Sequence, residues 1–238
     1  MPKSAAFSEL KDSLSIAQEL LKIDKTYYSD PPKTHEQKPV QGLRGAASVF
    51  VVAAFERYLR NAIEEYLSKL TTIPSTMYHL LPDDIRINSA FRTLDYAMKG
   101  SPNKPSKTKK ERLPDIKGAC QKVLDDVVNP TAFNNTGGNP SSVTLKNLLK
   151  DIDVNDIYGT IRSGFISKWG DPIAQTFIPD KLDEIVQRRH YVAHTANALN
   201  ISRSQLKESI RFIQILSELI DRILKKKIQE LSTMVKSP

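Results

Sequence analysis

Apolar residues recur at intervals of three and four along most of this chain, the period of amphipathic helices. Phe7, Leu10, Leu14, Ala17 and Leu21 make the first such run and predict a helix. The stretch "SDPPKTHEQKPVQG", with three prolines and a glycine, breaks the pattern and predicts a loop. A long second helix is expected from about Leu43 to Leu70. Its apolar arc of Val51, Val52, Phe55, Tyr58, Leu59, Ala62, Ile63 and Tyr66 is broad enough for a central, largely buried element.

Further on the pattern is less regular. A helix is expected over Leu80 to Lys99, ending at Gly100, then a basic loop over residues 101–114, "SPNKPSKTKKERLP". Another helix is expected over Asp115 to Val128, a second loop over 129–142, and a short helix over Val143 to Leu149. Gly159 and Gly164 weaken any helix over Asp156 to Trp169. From Pro179 the period sharpens again, with Pro179 suited to a first helical turn and Asp180, Asp183 and Glu184 suited to the positive end of the helix dipole. This helix should reach about Ala196. Ser202 and Gln205 have capping-box spacing and open a final helix carrying Leu206, Ile210, Ile213, Leu216, Ile220, Ile223 and Leu224. No strand alternation and no internal repeat stand out, so the expected fold is all-α, a single helical unit over residues 1–238.

Composition narrows the function classes. The 238 residues carry a formal charge of +8, which suits an anionic partner such as nucleic acid. Cys120 is the single cysteine, so neither an intrachain disulfide nor a thiolate cluster can form. The greasiest run, Ala46 to Phe55, falls far short of the roughly 20 residues a bilayer needs. With no secretory signal visible in the first thirty residues, the expected location is cytoplasmic, away from the membrane. No glycine-rich phosphate loop, nucleophile elbow or carboxylate pair stands out.

The chemistry concentrates in "RRHYVAHTANALN", residues 188–200, which holds two of the four histidines. At 100° per residue, Leu182, Val186, Val192, Ala193 and Ala196 share one arc, and Arg189 lands near its middle, roughly 20° from Leu182. His190 and His194 lie together on the flank, one turn apart. An arginine on an apolar stripe must be paired or must face a polar cleft, because a lone buried charge is costly. Glu56, at the edge of the second helix's arc, is the best candidate partner.

Three readings stay open at this level. One is an Arg189–Glu56 ion pair that only joins two helices. A second is a metal site at His190 and His194, but position 191 is Tyr rather than the Glu of a zinc-protease helix, and no third ligand accompanies the pair. The third is phosphodiester chemistry, in which an imidazole moves a proton and the arginine fork neutralises phosphate oxygens, with no metal or other cofactor.

Arg189, a polar residue at 190 and His194 resemble the Arg-x4-His signature of the HEPN superfamily, many of whose members are metal-independent endoribonucleases built as antiparallel α-helical bundles. "LDEIVQRRHYVAHT" ahead of a long C-terminal helix resembles the family's motif region. "VFVVAAFERYLRNAIEEYL" is similar to the early helix of the RiboL-PSP-like branch, with Glu56 in the acidic position. "FNNTGGNPSSVTLKNLLKDIDV" is similar to that branch's asparagine-bearing loop and following helix. These segments span most of residues 43–225, whereas 71–130 matches only loosely.

The resemblance implies an HEPN-like bundle with loop and short-helix insertions, and Arg189 and His194 as the catalytic pair. His190 takes the intervening polar position, which leaves open which imidazole is the base. It implies cleavage of RNA to a 2′,3′-cyclic phosphate and a 5′-hydroxyl, in a toxin or antiviral defence setting, with a neutralising or defence-system partner protein. It also implies a homodimer whose two motifs meet in one cleft near the Arg189 helix. Apart from the resemblance, Arg188, which matches no fixed motif position, and the basic-loop residues Lys104, Lys107, Lys109, Lys110 and Arg112 are the candidate phosphate contacts, and the loop's prolines and charge equally fit a mobile solvated segment. The alternative is a non-catalytic helical module that binds a partner protein or nucleotide. A DNA-binding reading lacks a short helix-turn-helix with an exposed recognition face.

Overall fold

The fold is taken from a computed structural model, which describes residues 3–99, 107–133, 135–195 and 201–236. Eight α-helices account for most of them: α1 Ala5–Tyr27, α2 Gln37–Leu67, α3 Asp83–Lys99, α4 Lys109–Leu124, α5 Ser142–Lys150, α6 Ile157–Trp169, α7 Phe177–Thr195 and α8 Arg203–Lys236. Short 3-10 turns fill several connections, and no strand occurs among the described residues. The fold is all-α.

The helices form where apolar period and caps coincide. Ser4 caps α1 by accepting the Phe7 N–H at 3.1 Å, and the Phe7–Leu21 stripe is buried. In α8, Ser202 and Gln205 form the expected reciprocal pair: Ser202 N–H donates to Gln205 Oε1 at 2.9 Å, and Gln205 N–H to Ser202 Oγ at 3.1 Å. Gly159 and Gly164 do not stop α6. Asp156 caps it by accepting the Gly159 N–H at 3.0 Å, and Gly170, at φ 94°, ends it. Gly164 lets α6 approach α8 closely, since a Cβ there would lie 3.0 Å from Leu219 Cδ2.

Two expected loops are shorter than their composition implies. The first gives way to α2 at Gln37 rather than near Leu43. Glu36 accepts the Lys33 N–H at 2.8 Å in a 3-10 turn leading directly into the helix. Pro39 falls in the first turn of α2, where an N–H has no intrahelical acceptor to lose. The basic loop likewise ends at Thr108, which caps α4. Glu111 N–H donates to Thr108 Oγ1 at 3.3 Å and Thr108 N–H to Glu111 Oε2 at 2.7 Å. Lys109, Lys110 and Arg112 therefore belong to a helix, with Pro114 tolerated on its exposed length. Lys104 lies outside the described residues. In the second expected loop, residues 130–133 form a 3-10 turn that buries Ala132 and Phe133.

α2 is the axis of the molecule. It packs on α1, α7 and α8, with α6 against α8 and α5 against α7. Val51, Phe55, Tyr58, Leu59, Ala62 and Ile63 are all buried along it. Phe165 stacks on Trp169 and both meet Phe212 at an angle where α6 meets α8, which fixes that side. α3 and α4 form a hairpin that rests on the core through α3 and the 130–133 turn; Ala119 is the sole buried residue of α4.

Candidate functional site

Glu56 and Arg189 face one another where α7 crosses α2, and a loop from between α4 and α5 closes over them. Arg189 Nη2 lies 3.8 Å from Glu56 Oε2, with side chains only 20% and 12% exposed. That distance is an ion pair without a direct hydrogen bond. The hydrogen bonds go elsewhere. Glu56 Oε1 accepts from Arg60 Nη2 at 2.9 Å and from Thr136 Oγ1 at 2.8 Å, while Arg189 Nη2 donates to the Gly138 carbonyl at 2.6 Å.

The loop can do this because two successive glycines turn it. Gly137 and Gly138 have φ of 62° and 75°, a left-handed conformation costly to a residue with a Cβ. Asn135 Oδ1 fixes the turn by accepting the Gly137 N–H at 2.9 Å, and Thr136 is buried. The loop continues into α5, which Asp183 of α7 holds by accepting the Ser142 N–H and Oγ–H at 2.7 and 2.6 Å. Tyr158 donates to the Ser142 carbonyl at 2.7 Å. Burial, and then the Asp183 carboxylate, push its phenol far above the ordinary value. The loop, α5, α6 and α7 are thus tied into one support for Arg189.

α7 itself is seated on α2 by a close approach. A Cβ at Gly45 would lie 3.4 Å from Val192 Cγ1. Beside that contact is a buried charge cluster. Asp24, at 0% exposure, accepts from Arg44 Nε at 3.0 Å and from Arg203 Nε at 2.9 Å. Arg44 also donates to the Ile201 carbonyl at 3.0 Å and to Asp30 at 3.2 Å. Burial alone would raise the Asp24 carboxyl, but hydrogen bonds from Arg203 and Arg44 outweigh it and hold it below the usual carboxylate range. The cluster anchors the chain as it enters α8, the helix that follows the motif.

The expected site residues separate into groups. Glu56 and Arg189 are together. His190 is exposed on the flank of α7, and His194 comes one turn later in the same helix, its side chain outside the described residues. Arg188 turns inward: its guanidinium pairs with Glu184, its side chain is 16% exposed, and it lies beside Ser48, Val51, Ile185 and Ser209. The structure does not bring Arg188 to the Glu56–Arg189 contact. Of the basic segment, Lys107 pairs with Asp115 at 2.7 Å and Arg112 donates to the Lys107 and Met98 carbonyls at 2.9 and 2.6 Å, so Arg112 closes the α3–α4 hairpin. Lys109 and Lys110 are exposed.

Sequence reasoning missed Thr136 and Gly138 as direct partners of the pair, and the whole Asp24 cluster. No group of three or more histidine, cysteine or acidic side chains able to hold a metal occurs among the described residues. No helix among them is long and apolar enough to cross a membrane.

An all-α fold whose Arg-x4-His helix crosses a central helix bearing Glu56 is that of an HEPN-type protein. The family model for RiboL-PSP-HEPN matches residues 11–226, from within α1 to the later turns of α8, and the chain belongs to that family. Searches of curated proteins and of solved structures gave no match.

Proposed function

We propose that the protein is a metal-independent endoribonuclease whose site is built on α7, with Arg189 and His194 as the catalytic pair and His190 beside them. The observation that carries the reading is the suspension of Arg189. Its guanidinium is held by a loop carbonyl and a carboxylate 3.8 Å away, at the rim of a helix crossing, in a chain of the RiboL-PSP-HEPN family. A guanidinium has five N–H donors in a fixed fork, and these contacts engage Nη2. The rest of the fork suits phosphate oxygens.

In the proposed reaction an imidazole of His190 or His194 removes the proton from a ribose 2′-hydroxyl. O2′ attacks the adjacent phosphorus, the bond to the 5′-oxygen breaks, and that oxygen leaves as a hydroxyl after taking a proton. The products are a 2′,3′-cyclic phosphate and a 5′-hydroxyl. Arg189 stabilises the charge that builds on the non-bridging oxygens. Glu56 positions Arg189 and offsets its charge in this mostly buried setting.

Lys109 and Lys110 occupy the first turn of α4, where the helix dipole disfavours cations. Local stability gives no reason for them there, and phosphate contact gives one. A toxin or antiviral defence role, with a partner protein that restrains the activity, rests on the family alone.

The test is to incubate the purified protein with total RNA in EDTA and map new ends. Cyclic-phosphate and 5′-hydroxyl ends that disappear with His194→Ala are the expected result. Absence of cleavage overturns the proposal in favour of a non-catalytic binding module.

A further inference from the structure

Four cations line the groove between α1 and α8. The two helices run antiparallel, pinned at one end by the Ser4 N–H on Asp221 at 3.3 Å and at the other by Arg203 Nε on Asp24 at 2.9 Å. Lys22 and Lys25 form one wall and Lys207 and Arg211 the other, over a floor of Leu21 and Ile210, which are 7% and 4% exposed. The groove encloses about 410 Å³ and opens to solvent. Arg211 has a structural post: its Nη2 donates to the Lys168 and Trp169 carbonyls at 3.1 and 2.6 Å, and its guanidinium lies over the Trp169 ring. The lysines do not. Lys22 meets Glu19 at 3.4 Å, a solvated surface pair of little worth. Lys25 and Lys207 are exposed and have no anionic partner among the described residues. Lys25 suits the negative end of α1, but Lys207, near the positive end of α8, gains nothing from its helix dipole. Like charges on two facing walls repel, and a bound polyanion relieves that repulsion.

The cations form a line. Counting from the two pins at equal rise, Lys207 comes close to the level of Glu19 and Arg211 to that of Ser15. Lys25, Lys22, Lys207 and Arg211 then follow one another over roughly 15 Å. A compact anion would meet one or two of them, whereas a chain of phosphates meets all. Gln18 and Gln214, also in the groove, add amide donors for phosphate oxygens. Past Arg211, Glu218 ends the line, its carboxylate shared by Lys3 at 3.5 Å and Lys168 at 3.1 Å. The Lys25 end abuts the buried Asp24 cluster. From there Arg44 and Gly45 of α2 lead to Val192 of α7, so the line starts at the end of the bundle where the motif helix finishes.

We propose that the α1–α8 groove is a track for single-stranded RNA, separate from the α7 site, that holds the phosphates of a segment flanking the cleavage position. The track rests on the nuclease reading for its ligand. A duplex is too wide and stiff to settle between two packed helices. A single strand can follow the groove, with its phosphates on the lysines and the faces of its sugars and bases on Leu21 and Ile210. The substrate class this selects is RNA with a single-stranded tail beyond the scissile bond.

The test uses 2′-O-methyl oligouridylates, which lack the attacking hydroxyl and stay intact on any nuclease of this type. The wild-type chain should bind a strand of about 16 nucleotides at least tenfold more tightly than one of about 4. The triple variant Lys22→Ser, Lys25→Ser, Lys207→Ser should lose that preference. Its log–log salt slope should fall by about two units, at roughly 0.7 per phosphate contact on a single strand. Its thermal melt should not drop, since all three positions are exposed. A 4-thiouridine in the strand should photocrosslink to residues 18–25 and 207–214. Equal affinity for long and short strands, an unchanged slope in the variant, or a duplex that loses as much affinity to the variant as the single strand overturns the track. So does inorganic tripolyphosphate that competes as well as the long strand, because the groove then takes a compact anion. Cleavage of total RNA is read separately. A chain that binds along the groove and cuts nothing keeps the RNA track and loses the nuclease reading; one that cuts, with the variant's binding unchanged, does the reverse.

Discussion

Arg189 and Glu56 oppose one another at 3.8 Å, and each is hydrogen-bonded to the loop between them rather than to the other. An arginine saturated by bidentate contact with a carboxylate would have little left for a ligand. Here the carboxylate supplies field, while Thr136 and Gly138 supply geometry. The arrangement keeps the guanidinium oriented, and it assigns different consequences to each residue's loss.

His194→Ala and Arg189→Ala are each expected to abolish RNA cleavage without altering the fold. General acid–base catalysis contributes about 10²–10⁴-fold, so the histidine variant should lose at least that much. The double variant should be hardly worse than either single one, since groups acting as a unit are not additive. Cleavage rates with thermal melts on the same preparations check this. A His194→Ala protein that cuts at the parental rate removes His194 from the catalytic pair.

Glu56→Ala should reduce activity and stability together. It strips Arg60 and Thr136 of an acceptor and leaves Arg189 half-buried without its carboxylate. Hydrogen bonds to charged groups are worth about 1.5–3 kcal/mol, and a loss in that range is expected on urea denaturation. Thr136→Val should cost less stability yet still lower turnover, because it frees the loop that carries Gly138. If Thr136→Val leaves turnover unchanged, the loop does not position Arg189.

Asp24→Asn tests the buried cluster. The change puts a neutral amide in place of the carboxylate and leaves Asp30 as the anionic partner of Arg44, whose side chain is 5% exposed. Breaking a buried pair in this way costs roughly 3–5 kcal/mol. The pH dependence has a definite sign. Asp24 has a folded-state value depressed below the ordinary one of about 3.9. Its contribution is therefore complete above about pH 3.9 and is lost as pH falls through the depressed value. The gap between wild type and Asp24→Asn should be widest near neutrality and close in strong acid. A gap that widens on acidification would contradict the cluster's electrostatics.

The legible parts of the fold were the periodic ones. α1, α7 and α8 follow from their apolar stripes, and the pairing of Glu56 with Arg189 follows from a charge placed on an apolar arc. Asp24 carried the same kind of signal. It continues the Phe7–Leu21 stripe at the next interval of three, and a carboxylate on a buried face requires a cation. Nothing local, however, points to Arg44 and Arg203 in particular. Thr136 and Gly138 were not legible as partners, because a glycine turn has no period and its target lies across the fold. The start of α4 was obscured by composition: prolines and lysines outweighed the Thr108–Glu111 capping box, although that box was present in the sequence.

That last difference changes what the basic segment can do. Arg112 and Lys107 are engaged within the hairpin, whereas Lys109 and Lys110 are exposed at its tip. Each phosphate contact releases counterions, so Lys109→Ser and Lys110→Ser should each flatten the log–log salt dependence of RNA binding by about one unit. Lys107→Ser should do less, because its ammonium is shared with Asp115. Arg112→Ser should act differently, lowering the melting temperature through loss of its bonds to the Lys107 and Met98 carbonyls, with little effect on the slope. Binding isotherms against salt, read beside melting curves, separate the two behaviours. Equal slopes for wild type and the Lys109→Ser, Lys110→Ser double variant would assign these lysines to solvation alone.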